Sequence, residues 1–298
     1  MTLLAIESAT DTVGVALLRD DGGSAERVHE GGRAHAELLA PAIEEVCAVS
    51  GCQVTDIDVI AVDVGPGLFT GLRVGVATAK ALGQALGLGA LGVSSLDILA
   101  ASAAGLVPDR GTAAPIGAVA SVVDARRGEV FAAVYRFDLG PGFSGSAAGS
   151  PAGSPAGSAA GSPNGDPTDP MAVRIDSPEP MAPEALVAWL LEVAAGDAEP
   201  VGEHGVTGAG VITVVGDGAV RYRDLLSVHE ALDLSLAHEI SAPPPLALAG
   251  LALRRLRHGI EAVSPGSLTP DYRRRADARI NWEKRPPRPP GPAAGDGR

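Results

Sequence analysis

The chain has 298 residues, 46% of them hydrophobic but only 3% aromatic, and carries a formal net charge of −13 at pH 7. That length holds two modest domains whose cores must be built from Ala, Val and Leu. The acidic balance argues against a surface that binds nucleic acid as a whole. Cys47 and Cys52 do not have CxxC spacing, which indicates neither a disulfide framework nor a zinc site, so both are expected as buried or idle reduced thiols. The N-terminus lacks the pattern of a secretion signal. No apolar run approaches the length of a membrane span. A cytoplasmic protein is expected.

In chain order, Leu3 to Glu7 and Val13 to Leu18 are apolar runs joined by the polar turn Ser8 to Thr12, which predicts a hairpin. A further strand ends at Glu30 to Gly32. Leu38, Leu39, Ala42, Ile43 and Val46 fall on one face of a helix, and Pro41 either interrupts that helix or sits in its first turn. Val59 to Val64 reads as a strand, and Leu72 to Leu86 and Leu96 to Gly105 as helices. A second unit starts near Pro115. Ile116 to Val123 and Val130 to Phe137 read as a hairpin joined by Asp124 to Glu129. Gly140 to Pro170 is almost wholly Gly, Pro, Ser and Ala, with SPAG repeated at Ser150 and Ser154. Such a tract buries too little apolar surface to order itself, so a disordered insertion is expected. Pro183 to Ala195 is helical, Val211 to Val215 is a strand, and Leu246 to Leu256 is an amphipathic helix ending in Arg254, Arg255 and Arg257. Residues 285 to 298 read as a disordered Pro/Gly-rich tail. The order of elements suggests a duplicated α/β plan.

The strand, turn and helix from Val59 to Gly87 carry the strongest local signal. Gly71, Gly75, Ala79 and Gly83 recur every fourth residue, with Gly87 just beyond. Glycine inside a helix costs about 1 kcal/mol against alanine, and positions four apart share one ridge. A ridge without side chains admits another backbone, from the same domain or from a second protein. The turn lacks the lysine of a phosphate-cradling loop, and Thr70 stands where a dinucleotide fingerprint needs its third glycine. A strained strand-to-helix connection explains the turn as well.

Candidate chemistry lies at strand ends. Glu7 closes the first strand, Asp11 lies in its turn, and Asp63 ends the strand before the glycine turn. Such carboxylates act as acid or base, or accept hydrogen bonds from turn amides. Gly216 and Gly218, after a strand, allow close approach of a base or ribose, or simply a tight turn. Arg126 and Arg127 sit at a hairpin tip. The stretch from Arg254 to Arg288 is basic, with Arg273, Arg274, Arg275, Arg279, Lys284 and Arg285 close together, either as a solvated tail or as a contact for RNA or an acidic partner.

GPGLFTGLRVGVATAKALG is similar to the signature of the TsaB (YeaZ) family. LLAIESATDTVGVAL from Leu3, HAELLAP from His35, Ser94-Ser95-Leu96, DARRGEV from Asp124 and PDYRR from Pro270 also resemble that family. The resemblance covers about residues 1 to 138 and 171 to 280. It implies an α/β fold of the actin/Hsp70/sugar-kinase (ASKHA) class, with two lobes each made of a mixed sheet flanked by helices. Lobe one would be 1–108 plus 244–284, and lobe two 109–243.

The resemblance also implies a non-catalytic scaffold in tRNA threonylcarbamoyladenosine synthesis. Such a subunit pairs with a TsaD-like transferase and helps recruit a TsaE-like ATPase. It has no catalytic residue, metal or cofactor of its own, since the ATP is used by the complex. The partner-binding set would be Leu38, Leu39, Ile43, Val46, Gly71, Leu72, Gly75, Ala79 and Gly83. Nucleotide contact would involve Glu7, Asp11, Gly216 and Gly218, with Glu7 longer than the aspartate usual in the family. The 273–285 stretch is a candidate contact with tRNA. A kinase-like enzyme is the alternative, weakened by the missing phosphate loops. A metallopeptidase is weakened further, because the metal-binding His-x-x-x-His of the TsaD relatives is broken here: His35 is present, but Leu39 replaces the second histidine.

Overall fold

A computed structural model of the chain describes residues 1–30, 34–105, 118–137, 172–176, 179–196 and 210–273. The Gly/Pro/Ser/Ala tract at 140–170, the tail at 285–298 and the basic stretch beyond Arg273 lie outside the described residues.

The described residues form two five-stranded mixed sheets. The first comprises β1 (Thr2–Glu7), β2 (Thr12–Arg19), β3 (Ser24–Glu30), β4 (Val59–Gly65) and β5 (Gly89–Ser94), in the order β3-β2-β1-β4-β5. β1 pairs antiparallel with β2, Ala5 opposite Ala16, and parallel with β4, Ala5 opposite Ala61. The second comprises β6 (Ala118–Arg126), β7 (Glu129–Phe137), β8 (Ala172–Asp176), β9 (Ile212–Val215) and β10 (Leu232–Asp233), in the order β10-β9-β6-β7-β8. β6 pairs antiparallel with β7 and parallel with β9. Read from its third strand, each sheet has the order 3-2-1-4-5 with the same directions. One plan is used twice.

The central strands are apolar on both faces because helices cover both. Successive residues of β1 alternate between the layers. Leu4 and Ile6 meet α1 (His35–Val49) and α2 (Phe69–Leu86) through Leu39, Ile43, Val46 and Val76. Leu3 and Ala5 meet α7 (Pro245–Arg257) through Leu248, Leu251 and Ala252. α3 (Ser95–Ala103) is buried between the two sheets. Its Ile98 and Ala101 face the first core, while Leu96, Leu99 and Ala103 face Val119, Val123 and Phe131 of the second. α4 (Pro183–Ala195) covers the far face of the second sheet with Leu186, Leu190 and Val193. Short helices α5 (Asp217–Arg221) and α6 (Arg223–Leu226) follow β9.

α1 runs through Pro41, whose missing N–H falls on the exposed side of the helix. α2 begins three residues before the predicted start, at Phe69. β5, β8 and β10 carry no strong strand signature and were not expected from the sequence.

Candidate functional site

The turn between β1 and β2 organises both outer helices. Ser8 Oγ donates to the Gly71 carbonyl at 2.9 Å, and Leu68 N–H donates to the Ala9 carbonyl at 2.6 Å. His35 Nε2 lies 2.9 Å from the Thr10 carbonyl oxygen. His35 is therefore a buried tie between α1 and the turn.

The same turn accounts for the glycine ridge from within the chain. A Cβ at Gly71 would strike the Ser8 carbonyl oxygen, and one at Gly75 would strike Ser8 Oγ. A Cβ at Gly83 would meet Pro265 Cγ at 2.5 Å. Leu72 and Ala79 are buried on the same face, as are Leu39, Ile43 and Val46 of α1, and Leu38 is half-buried. The ridge faces its own lobe because the β1–β2 turn needs that space.

The outward faces of these helices have a different make-up. On α2 they present Phe69, Thr70, Arg73, Ala77, Ala81 and Ala85. On α1 they present Ala36, Ala40, Glu44 and Ala48. At the start of α2, the Arg73 guanidinium lies 3.8 Å from the Phe69 ring centroid, and its Nε donates to the Tyr272 hydroxyl at 3.2 Å. The Phe69 and Tyr272 rings are 5.1 Å apart and both are exposed. Nothing in the hydrophobic periodicity marks this cluster, since Tyr272 is about two hundred residues from Phe69.

Carboxylates gather where the central strands of the two sheets end. Glu7 is fully buried; its Oε1 accepts from Ala9 N–H at 2.8 Å and its Oε2 from the Thr12 hydroxyl at 3.3 Å. Asp63 Oδ1 accepts from Ser95 Oγ at 2.6 Å and from Gly65 N–H at 2.7 Å, while Oδ2 is buried without a hydrogen-bond partner. Asp217 Oδ1 accepts from Asp124 N–H at 2.8 Å. Burial, and then the charge of Asp63, raise the Glu7 carboxyl well above its ordinary range. Burial pushes Asp63 up to about 7 and Asp217 up to about 6.

Asp11 is exposed and accepts from Arg126 of the β6–β7 hairpin at 2.8 Å. Arg126 also pairs with Asp124 at 3.3 Å and adopts φ +63, an unusual backbone for a non-glycine residue. Gly216 and Gly218 pack against Val122 of β6: a Cβ on Gly216 would strike the Val122 carbonyl, and one on Gly218 would lie 2.7 Å from Val122 Cγ1. Internal packing accounts for both glycines. Among the described residues, no group of three or more His, Cys, Asp or Glu is arranged to hold a metal ion. None of the described helices is long and apolar enough to cross a membrane.

Two mixed sheets of identical topology, with a helix between them and carboxylates where their central strands meet, define an α/β protein built on one plan used twice. YeaZ from Pseudomonas aeruginosa has this fold, with a TM-score of 0.61 and 24% identity over 91% of this chain and 99% of that one. Residues 27–142 match the family model described as TsaD, tRNA N6-adenosine threonylcarbamoyltransferase. An uncharacterized protein of Mycobacterium tuberculosis is 40% identical over 136 residues, 45% of this chain and 59% of that one. The tRNA threonylcarbamoyladenosine biosynthesis protein TsaB of Bacillus subtilis is 36% identical over 140 residues, 47% of this chain and 57% of that one. For TsaB of Escherichia coli the identity is 35% over 140 residues, 46% of this chain and 56% of that one. The matched segments thus span somewhat more than half the length of the Mycobacterium, Bacillus and Escherichia proteins. Over its N-terminal half the chain is similar to the TsaB proteins, and its fold is like that of YeaZ.

Proposed function

We propose that this chain is the accessory, non-catalytic subunit of a cytoplasmic complex that forms N6-threonylcarbamoyladenosine on tRNA. In this role it docks a TsaD-like transferase on the outward faces of α1 and α2. The match to two TsaB proteins carries the proposal. The carboxylates support it: Glu7, Asp63 and Asp217 hydrogen-bond turn amides and hydroxyls of their own chain. The exposed faces support the docking surface. Rows of alanine let a second pair of helices approach closely, and the Phe69, Arg73 and Tyr272 cluster offers the aromatic and arginine side chains that dominate protein interfaces. The partner transfers the threonylcarbamoyl group, and a TsaE-like ATPase consumes the ATP. The basic stretch at 273–285 adds a contact for tRNA.

The test is a reconstitution. A threonylcarbamoyl-AMP synthase, a TsaD-like protein and a TsaE-like protein are mixed with ATP, threonine, bicarbonate and unmodified tRNA, with and without this chain. The modified nucleoside is then quantified by mass spectrometry. Product that depends on the chain supports the accessory role. Equal product without it rejects that role.

A further inference from the structure

The chain leaves α1 through a Schellman turn that brings its two cysteines together. Ser50 N–H donates to the Val46 carbonyl at 3.0 Å, Gly51 N–H to Ala48 at 3.2 Å, and Cys52 N–H back to Cys47 at 3.0 Å. Gly51 has φ +66, the left-handed conformation this ending requires and glycine adopts freely. In such a turn, the side chains of the two residues joined by the longest hydrogen-bonded loop pack on each other. Those residues here are Cys47 and Cys52. Cys47 lies in the core under α1 and Cys52 is half-buried at its edge. Burial, together with the neighbouring Cys52, pushes the Cys47 thiol up to about 11.

We propose that Cys47 and Cys52 are a modification site: a dithiol that peroxides convert to a reversible intrachain disulfide across the end of α1. A disulfide spans Cα atoms about 4.4–6.8 Å apart, a separation that two residues closed by one main-chain hydrogen bond already meet. Cys52 is the more accessible sulfur and reacts first. Its thiolate attacks one peroxide oxygen, the O–O bond breaks, water leaves, and Cys52 becomes a sulfenic acid. The Cys47 sulfur then attacks the Cys52 sulfur and gives up its proton. The S–S bond forms and a second water leaves. The two thiols lose two hydrogens, and the peroxide is reduced to two waters. A high thiol pKa at Cys47 leaves little thiolate and slows the second step. Thiol reductants reopen the bond by exchange.

No Lys or Arg lies between Arg33 and Arg73, so one tryptic peptide carries both cysteines. The full-length chain is treated with hydrogen peroxide, denatured, alkylated and digested. The expected peptide is lighter by two hydrogens, carries no alkyl group, comes from a monomeric chain, and regains both thiols after dithiothreitol. Cys47→Ser should stop at a Cys52 sulfenic acid that a dione probe captures, and Cys52→Ser should leave Cys47 free to alkylate. The proposal is overturned if Cys47 in the parent chain still alkylates after Cys52 is oxidised, if the product is a cross-linked dimer, or if both thiols survive peroxide. None of these outcomes bears on the role in tRNA modification.

Discussion

Asp97 of α3 accepts a 2.7 Å hydrogen bond from Arg255 of α7 on one oxygen. On the other it accepts from Arg174 of β8 at 2.5 Å and from the Tyr135 hydroxyl of β7 at 2.6 Å. α7 packs on the first sheet, and β7 and β8 belong to the second, so a single carboxylate ties the two halves of the molecule. Burial pushes this carboxyl up, yet the guanidiniums of Arg174 and Arg255 hold it below the usual range. The three charged side chains are only 12–13% exposed, so solvent screens them little. Asp97→Ala removes the carboxylate that both guanidiniums share and is expected to cost about 3–5 kcal/mol. Urea unfolding measures it; a loss below about 1 kcal/mol would show that the network contributes nothing.

The glycines of α2 differ in what opposes them. At Gly71 the obstacle is the Ser8 main-chain oxygen, with His35 Nε2 at 3.1 Å; at Gly75 it is the Ser8 side chain. A hydroxyl can rotate, but a carbonyl in a hydrogen-bonded turn cannot. Alanine also gains about 1 kcal/mol of helix propensity over glycine, which offsets part of an overpacking cost of about 1–3 kcal/mol. Gly71→Ala should therefore destabilise clearly, and Gly75→Ala by less. Gly75→Leu should not fold normally. Thermal melts rank the three. A Gly71→Ala protein as stable as its parent would contradict this account of the ridge.

Much of the fold was legible in the sequence, because the elements that form it carry local signals. Pro183 and Gly196 bracket α4, and that helix lies where a proline start and a left-handed glycine end predict it. β5 was missed because Gly89 and Gly92 dilute its strand propensity. β10 is two residues long. The ridge shows what sequence leaves undecided. α2 has two rows of small residues: Gly71, Gly75, Ala79 and Gly83 on one side, and Ala77, Ala81 and Ala85 on the other. Spacing marks both, but which row faces inward depends on Ser8, more than sixty residues away. The ion pair of Asp11 with Arg126 is likewise a product of topology, with one partner from each hairpin.

The buried carboxylates set a pH dependence. Burial disfavours the charge and pushes the Asp63 carboxyl up to about 7 from its ordinary 3.8, and Asp217 up to about 6. A raised carboxyl means that the folded state holds the proton longer than the unfolded one. Its stabilising contribution is complete below about pH 4 and is lost as pH rises through 7. Denaturant unfolding should thus show a chain more stable near pH 5 than near pH 8. Asp63→Asn keeps an oxygen for Ser95 and Gly65 while removing the charge. It should flatten that slope and raise stability near pH 8 by about 1–3 kcal/mol. A slope unchanged in this variant would assign the pH dependence to other groups.

The docking proposal is tested on the outward row, where a substitution leaves the fold intact. Ala81 is exposed on α2, so Ala81→Arg adds a long cation to solvent in the free chain and should leave the melting temperature unchanged. Against a pair of helices from a TsaD-like partner, the same side chain fills the space that alanine keeps open. Affinity should fall by about tenfold or more, which is about 1.4 kcal/mol. Arg73→Ala removes the guanidinium stacked on Phe69 and should weaken binding to a similar degree if that cluster anchors the contact. Titration calorimetry with the purified partner measures both, and melts of the free variants separate lost binding from lost folding. Two folded variants that bind as tightly as the parent would exclude the outward face of α2 as the docking surface and move the search to the other exposed faces of the chain.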